Sequence, residues 1–137
     1  MPVLLFDAEC GLCQRAVRLL LRLDGEARLT FAPLQGAAGQ AYLRQQGLPA
    51  GEFDSLVFVP DWAHPEPRAF LLRTDGVLAA LRVCGGLGEE LAAILAVVPA
   101  GGRDAGYRLV ARWRHVIFGV GSPHPFDRPE WAARFLP

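Results

Sequence analysis

Four apolar residues in a row, Val3-Leu4-Leu5-Phe6, read as a strand buried on both faces, and the pattern then changes in kind. From Ala16 to Leu23 the apolar positions Val17, Leu20 and Leu21 recur at helical spacing, with Arg15, Arg18 and Arg22 opposite them on a side that reads as solvated. Asp24-Gly25 closes this helix, and Arg28 to Pro33 alternates as a second strand. Gly39 to Gln46 predicts a weaker helix, stopped by Gly47 and Pro49. Ser55 to Val59 is the third strand and Ala69 to Arg73 the fourth, joined through Pro60, Pro65 and Pro67 and therefore antiparallel. Asp75-Gly76 is a hairpin signal, but Ala79-Ala80-Leu81-Arg82 has poor strand propensity, so a helix from Gly76 to Cys84, capped by Thr74, is predicted instead.

The order strand, helix, strand, helix, strand, strand, helix is the minimal thioredoxin-like fold, an α/β class in which a parallel βαβ half and an antiparallel ββα half share one four-stranded mixed sheet. Two further helices follow: Glu89 to Val98, ended by Pro99, and Asp104 to Phe118, ended by Gly119 and Gly121. In the second, Ala105, Leu109, Trp113 and Val116 form an apolar stripe, while Arg108, Arg112 and His115 share another face, read as solvated or, alternatively, as facing an anionic partner. From Ser122 the tail is expected to be extended until a last turn, Trp131 to Phe135, packs onto the body. The chain is thus expected to be a single thioredoxin-like domain over 1–137, with 103–137 a C-terminal helical extension.

The first strand hands over to the first helix through Phe6-Asp7-Ala8-Glu9-Cys10-Gly11-Leu12-Cys13-Gln14, which places two cysteines at a helix start. Unpaired N–H groups and the partial positive charge of a helix N-terminus favour thiolate over thiol, an advantage falling first on Cys10. Residues three apart on a helical turn can close a disulfide, so Cys10 is expected to attack as an exposed thiolate and Cys13 to resolve the mixed disulfide. Asp7 and Glu9 oppose this by adding negative charge nearby. Asp7 has two readings, a proton acceptor for Cys13 or a cap for loop N–H groups, with capping preferred. Cys84, among Leu81, Val83 and Leu87, reads as a core residue. His64, His115 and His124 have no metal-ligand spacing.

With 52% apolar residues in 137, one sizeable core is expected, and fourteen arginines balance fourteen acids. A net charge of zero gives no reason to expect nucleic acid or an anionic membrane as the main partner. No secretory leader is visible and no apolar run is long enough to span a bilayer, so a cytoplasmic location without a membrane span is expected. In a reducing cytosol a close CxxC pair reads as catalytic or metal-binding, not as a structural bridge.

The motif Phe6-Asp7-x-x-Cys10-x-x-Cys13 resembles the signature of the DCC family of thiol-disulfide oxidoreductases. The resemblance extends through Asp54 to Val59, Arg73 to Leu78, Cys84-Gly85-Gly86-Leu87 and Asp104 to Arg114. It implies a thioredoxin-like fold and dithiol–disulfide exchange, with Cys10 and Cys13 as the active pair and Asp7 associated with them. The chain departs from that pattern in three places. Ala8 stands where a glycine is common, the late cysteine is absent from 119–123, and Asp54-Ser55 occupies the place of the cis-proline of thioredoxins, with Pro49 too far upstream to replace it.

Three functions remain in view. The first is a small oxidoreductase acting on protein or low-molecular-weight disulfides, needing no cofactor and recharged by an unknown electron donor. The second is a redox-inactive thioredoxin-like binding module. The third is a metal-binding protein using Cys10 and Cys13 with Cys84 or a histidine, for which one cysteine pair falls short of the usual two.

Overall fold

A computed structural model describes residues 2–48, 51, 56–64, 66–117 and 129–137. The strands are β1 (Val3–Phe6), β2 (Thr30–Pro33), β3 (Val57–Val59) and β4 (Leu71–Leu72). The helices are α1 (Gly11–Leu23), α2 (Ala37–Gln46), α3 (Arg73–Cys84), α4 (Leu87–Ala96) and α5 (Ala100–Ile117), and a short 3₁₀ helix spans Pro129–Arg134. The sheet order is β2-β1-β3-β4. β1 runs parallel to β2, with Val3 beside Thr30 and Phe6 beside Pro33, and antiparallel to β3, with Val3 beside Val59. β3 and β4 are antiparallel, Val57 facing Leu72. This mixed four-stranded sheet is the thioredoxin-like arrangement expected from the element order.

All four residues of β1 are buried, and their period of two sends them to two different cores. Leu4 and Phe6 join Val17, Leu20, Leu21, Phe31, Phe58, Leu78, Leu81 and Trp131 on the α1 and α3 side. Val3 and Leu5 join Leu34, Tyr42, Leu43, Val57 and Val59 on the α2 side. Burial on both faces is why this strand reads as an unbroken apolar run. Along α1, Val17, Leu20 and Leu21 are buried and Arg15 and Arg22 exposed, as the spacing predicts, whereas Arg18 is half-buried.

Several boundaries move. β4 holds two residues instead of five: Ala69 and Phe70 fall outside it, and Arg73, with φ +53°, turns the chain directly into α3. The helix therefore starts at Arg73 with Leu72 as its N-cap, and Thr74 is not the cap: its hydroxyl hydrogen-bonds the Asp104 carboxylate. At the end of α3, Gly85 (φ +68°) supplies the left-handed turn. α4 then crosses α3 so closely that a Cβ on Gly88 would lie 2.6 Å from the Leu81 carbonyl oxygen.

The apolar stripe of α5 does not face the core. Arg103, Asp104, Tyr107 and Ala111 are its half-buried positions, whereas Ala105, Leu109, Trp113 and Val116 are exposed. α3 presents polar groups here, and polar groups of α5 satisfy them: Arg103 pairs with Asp75 at 3.6 Å and Asp104 with Thr74, while the Tyr107 hydroxyl accepts the Leu56 N–H at 3.3 Å.

At the C-terminus Trp131 is buried, and Phe135 packs against Phe6 and Phe31. Leu136 N–H donates to the Phe31 carbonyl at 2.8 Å, so the chain end covers the free edge of β2. The predicted helix stop at Gly119 and Gly121, the extended segment from Ser122, and the readings of Pro49, Asp54-Ser55, Pro65 and His124 lie outside the described residues.

Candidate active site at the start of the first helix

The loop between β1 and α1 is held at almost every residue. Asp7 makes the first turn: its carbonyl accepts the Cys10 N–H at 3.3 Å, and its carboxylate Oδ1 accepts the Glu9 N–H at 3.0 Å. This is the capping reading of Asp7, which is 7% exposed. Leu34 N–H donates to the Phe6 carbonyl at 2.7 Å, carrying the β1–β2 pairing one step further and setting Gln35 beside the loop. Gln35 grips it twice, donating from Nε2 to Asp7 Oδ1 at 2.6 Å and accepting the Ala8 N–H at 3.0 Å. From the helix side, Gln14 Nε2 donates to the Ala8 carbonyl at 2.6 Å. Ala8 is not among the residues with positive φ, so the backbone here does not require a glycine.

Cys10 is the N-cap of α1, with extended φ −93° and ψ 124°, and its sulfur accepts the Cys13 N–H at 3.5 Å. The two cysteines are thus neighbours across one helical turn, both as free thiols. There is no acidic residue in the first turn of α1. A backbone donor aimed at Sγ of Cys10 stabilises negative charge on that atom.

One expectation fails. Cys10 is 0% exposed and Cys13 9%, so the first cysteine does not stand open at the helix mouth. The N-cap conformation turns its sulfur back over the first helical turn. Gln14 ties Ala8 to the first turn of α1, and Gln35 ties Asp7 and Ala8 to the segment after β2.

Gln14 and Gln35 are absent from the sequence reading as site residues. Gln14 carried a signal, being the one polar residue on the stripe of α1 that also holds Cys13, Val17 and Leu21, and it is 1% exposed. Gln35 carried none, because its role depends on how two loops meet.

Cys84 is buried on α3, with Sγ 3.8 Å from the Leu20 carbonyl oxygen. Leu20 lies about 10 Å beyond Cys13 along the helix axis, so Cys84 is remote from the pair. Burial, with Asp24 adding to it, pushes its thiol up to about 11. His64 sits in the β3–β4 loop, its Nδ1 3.4 Å from Asp61. Among the described residues no group of three or more His, Cys, Asp or Glu is placed to hold a metal ion. None of the helices, over the described residues, is long and apolar enough to cross a membrane.

Comparison with known proteins gives the same region its chemical context. The chain is 32% identical to the uncharacterized protein YuxK of Bacillus subtilis over 135 residues, covering 98% of this chain and 93% of that one. It is 29% identical over 118 residues to a chloroplastic DCC family protein of Arabidopsis thaliana, covering 86% of this chain and 65% of that one. No solved structure matches it significantly. The DCC1-like thiol-disulfide oxidoreductase family matches residues 4–120, a span that contains the cysteine pair and all of the sheet but Val3, and the chain belongs to that family.

Proposed function

We propose that this protein exchanges a dithiol for a disulfide at Cys10 and Cys13, acting in the cytoplasm on protein or low-molecular-weight disulfides, within a single domain spanning 1–137. The observation that carries this reading is the N-cap placement of Cys10, with the Cys13 N–H donating to its sulfur. In the forward step the Cys10 thiolate attacks one sulfur of the substrate disulfide, forming a mixed disulfide and releasing the other sulfur as a thiolate. Cys13 gives up its proton to the released thiolate or to solvent and attacks Cys10 Sγ. The second substrate thiol leaves, and a Cys10–Cys13 disulfide remains. Two electrons have passed to the substrate, and an external dithiol or thiol donor returns them.

Asp7 is the third residue of the site, as the anchor that shapes the loop. Because Cys10 is buried in the resting state, the attacking step requires its sulfur to be uncovered.

The same burial favours a second reading, a thioredoxin-like binding module whose thiols take no part in exchange. A Cys13→Ser variant separates them. Exchange at Cys10 predicts that this variant accumulates a stable mixed disulfide with a small disulfide such as oxidised glutathione, and that Cys10→Ser accumulates none. No adduct on folded Cys13→Ser protein would leave the binding module as the better account.

A further inference from the structure

α5 is mounted inside out. Its packing side consists of Arg103, Asp104, Tyr107 and Ala111, and the side turned to solvent carries Leu109 (61% exposed), Trp113 and Val116 (76%). Arg108 and Arg112 are exposed along one border of that apolar stripe, at helical positions just beside it, and the Arg112 guanidinium lies 5.8 Å from the Trp113 ring centre. α4 also carries exposed apolar residues. It packs through Gly88, Leu91 and Ala92, while Ile94 (67%), Leu95, Val97 (83%) and Val98 are exposed, and no charged residue occurs between Glu90 and Arg103.

The net charge of zero conceals an asymmetry. Half of the fourteen arginines sit on α1 and α5, which pack against each other, together with one acid of fourteen, Asp104. The exposed positions of α1 repeat the combination on a smaller scale, with Leu19 between Arg15 and Arg22.

We infer that α5 docks on the surface of an anionic lipid bilayer, seating Leu109, Trp113 and Val116 in the headgroup boundary and Arg108 and Arg112 on lipid phosphates. Two features select this partner. Leu109 and Val116, each more than half exposed, stand as ridges, whereas a surface that receives a peptide helix or strand offers a sunken floor. A fluid bilayer accepts ridges without a matching shape. Exposed apolar residues bordered by arginines and carrying a tryptophan are also the composition of interfacial helices, which lie in the membrane plane. The inference does not depend on exchange chemistry at Cys10 and Cys13.

The test uses the full chain with vesicles of phosphatidylcholine alone or mixed with phosphatidylglycerol, read by cosedimentation and by Trp113 fluorescence. The mixed vesicles should bind the protein and shift its emission to the blue, and raised salt should weaken binding. The double variant Arg108→Gln, Arg112→Gln should bind roughly thirty-fold more weakly, and Trp113→Ala should lose the fluorescence shift. Because these side chains are exposed, both variants should keep the circular dichroism of the parent. Equal affinity for the two vesicle types, or none for either, would overturn the inference. So would a concentration-dependent dimer, abolished by Leu109→Glu, in protein that ignores vesicles; that result would give the face to a second copy of the chain.

Discussion

At the scale of single residues, Cys84 and Cys10 are both sealed from solvent, yet their surroundings ask different things of them. Cys84 lies among apolar side chains near the Asp24 carboxylate, and burial with that negative charge raises its pKa from 9.0 to about 11. The consequence for stability has a definite sign. Between these values the unfolded chain releases the proton while the folded chain retains it, so stability falls as pH rises through that window, by about 2–3 kcal/mol in all. Urea unfolding of the parent and of Cys84→Ala at about pH 8 and about pH 11 should show a smaller alkaline loss in the variant, and equal losses would contradict the assignment. Cys10, by contrast, receives a backbone N–H and sits next to a second thiol. Its position was legible from the junction of an apolar run with a helical period. Its burial was not, because it depends on packing among segments far apart in the chain.

At the scale of elements, the end of α1 shows how a local signal conceals a distant one. Asp24-Gly25 reads correctly as a helix stop, and Asp24 N–H does cap the helix by donating to the Leu20 carbonyl at 2.9 Å. Its carboxylate, with a fully buried side chain, also accepts the Arg28 N–H at 3.0 Å, the Leu29 N–H at 2.8 Å and the Arg134 guanidinium. Arg134 in turn donates to the Leu29 carbonyl at 2.9 Å, tying the C-terminal segment to the α1–β2 corner. Nothing in the sequence around Asp24 announces a partner 110 residues away. Arg134→Met would leave that carboxylate buried without its cation, and a loss of about 3–5 kcal/mol in urea unfolding is expected. A loss below about 1 kcal/mol would mean that solvent reaches Asp24 when the arginine is removed. The start of α3 carries a similar lesson. Thr74 has the residue type of a cap, but Arg73 turns the chain one step earlier, which leaves the hydroxyl free to hold α5 through Asp104.

At the scale of the whole molecule, the sheet was readable because each strand's pattern reflects how many of its faces are covered, and the element order then admits one arrangement. The orientation of α5 was not readable. A stripe of Leu109, Trp113 and Val116 ordinarily marks the core side, but α3 and the β3 entry present Asp75, Thr74 and the Leu56 N–H, which pair with Arg103, Asp104 and Tyr107 of α5. The result is a body whose two cysteines are buried at one end of α1, and which carries exposed apolar residues on the added helices α4 and α5. What the account asserts above all is that the two sulfurs at the helix start form one redox couple. The most direct measurement is a titration of the full chain across thiol–disulfide buffers, followed by differential alkylation and mass spectrometry of each cysteine. The account predicts that Cys10 and Cys13 are lost and recovered together in a reversible two-electron step, with Cys84 remaining a thiol throughout. A pair that stays reduced in every buffer, or a disulfide that recruits Cys84, would contradict it.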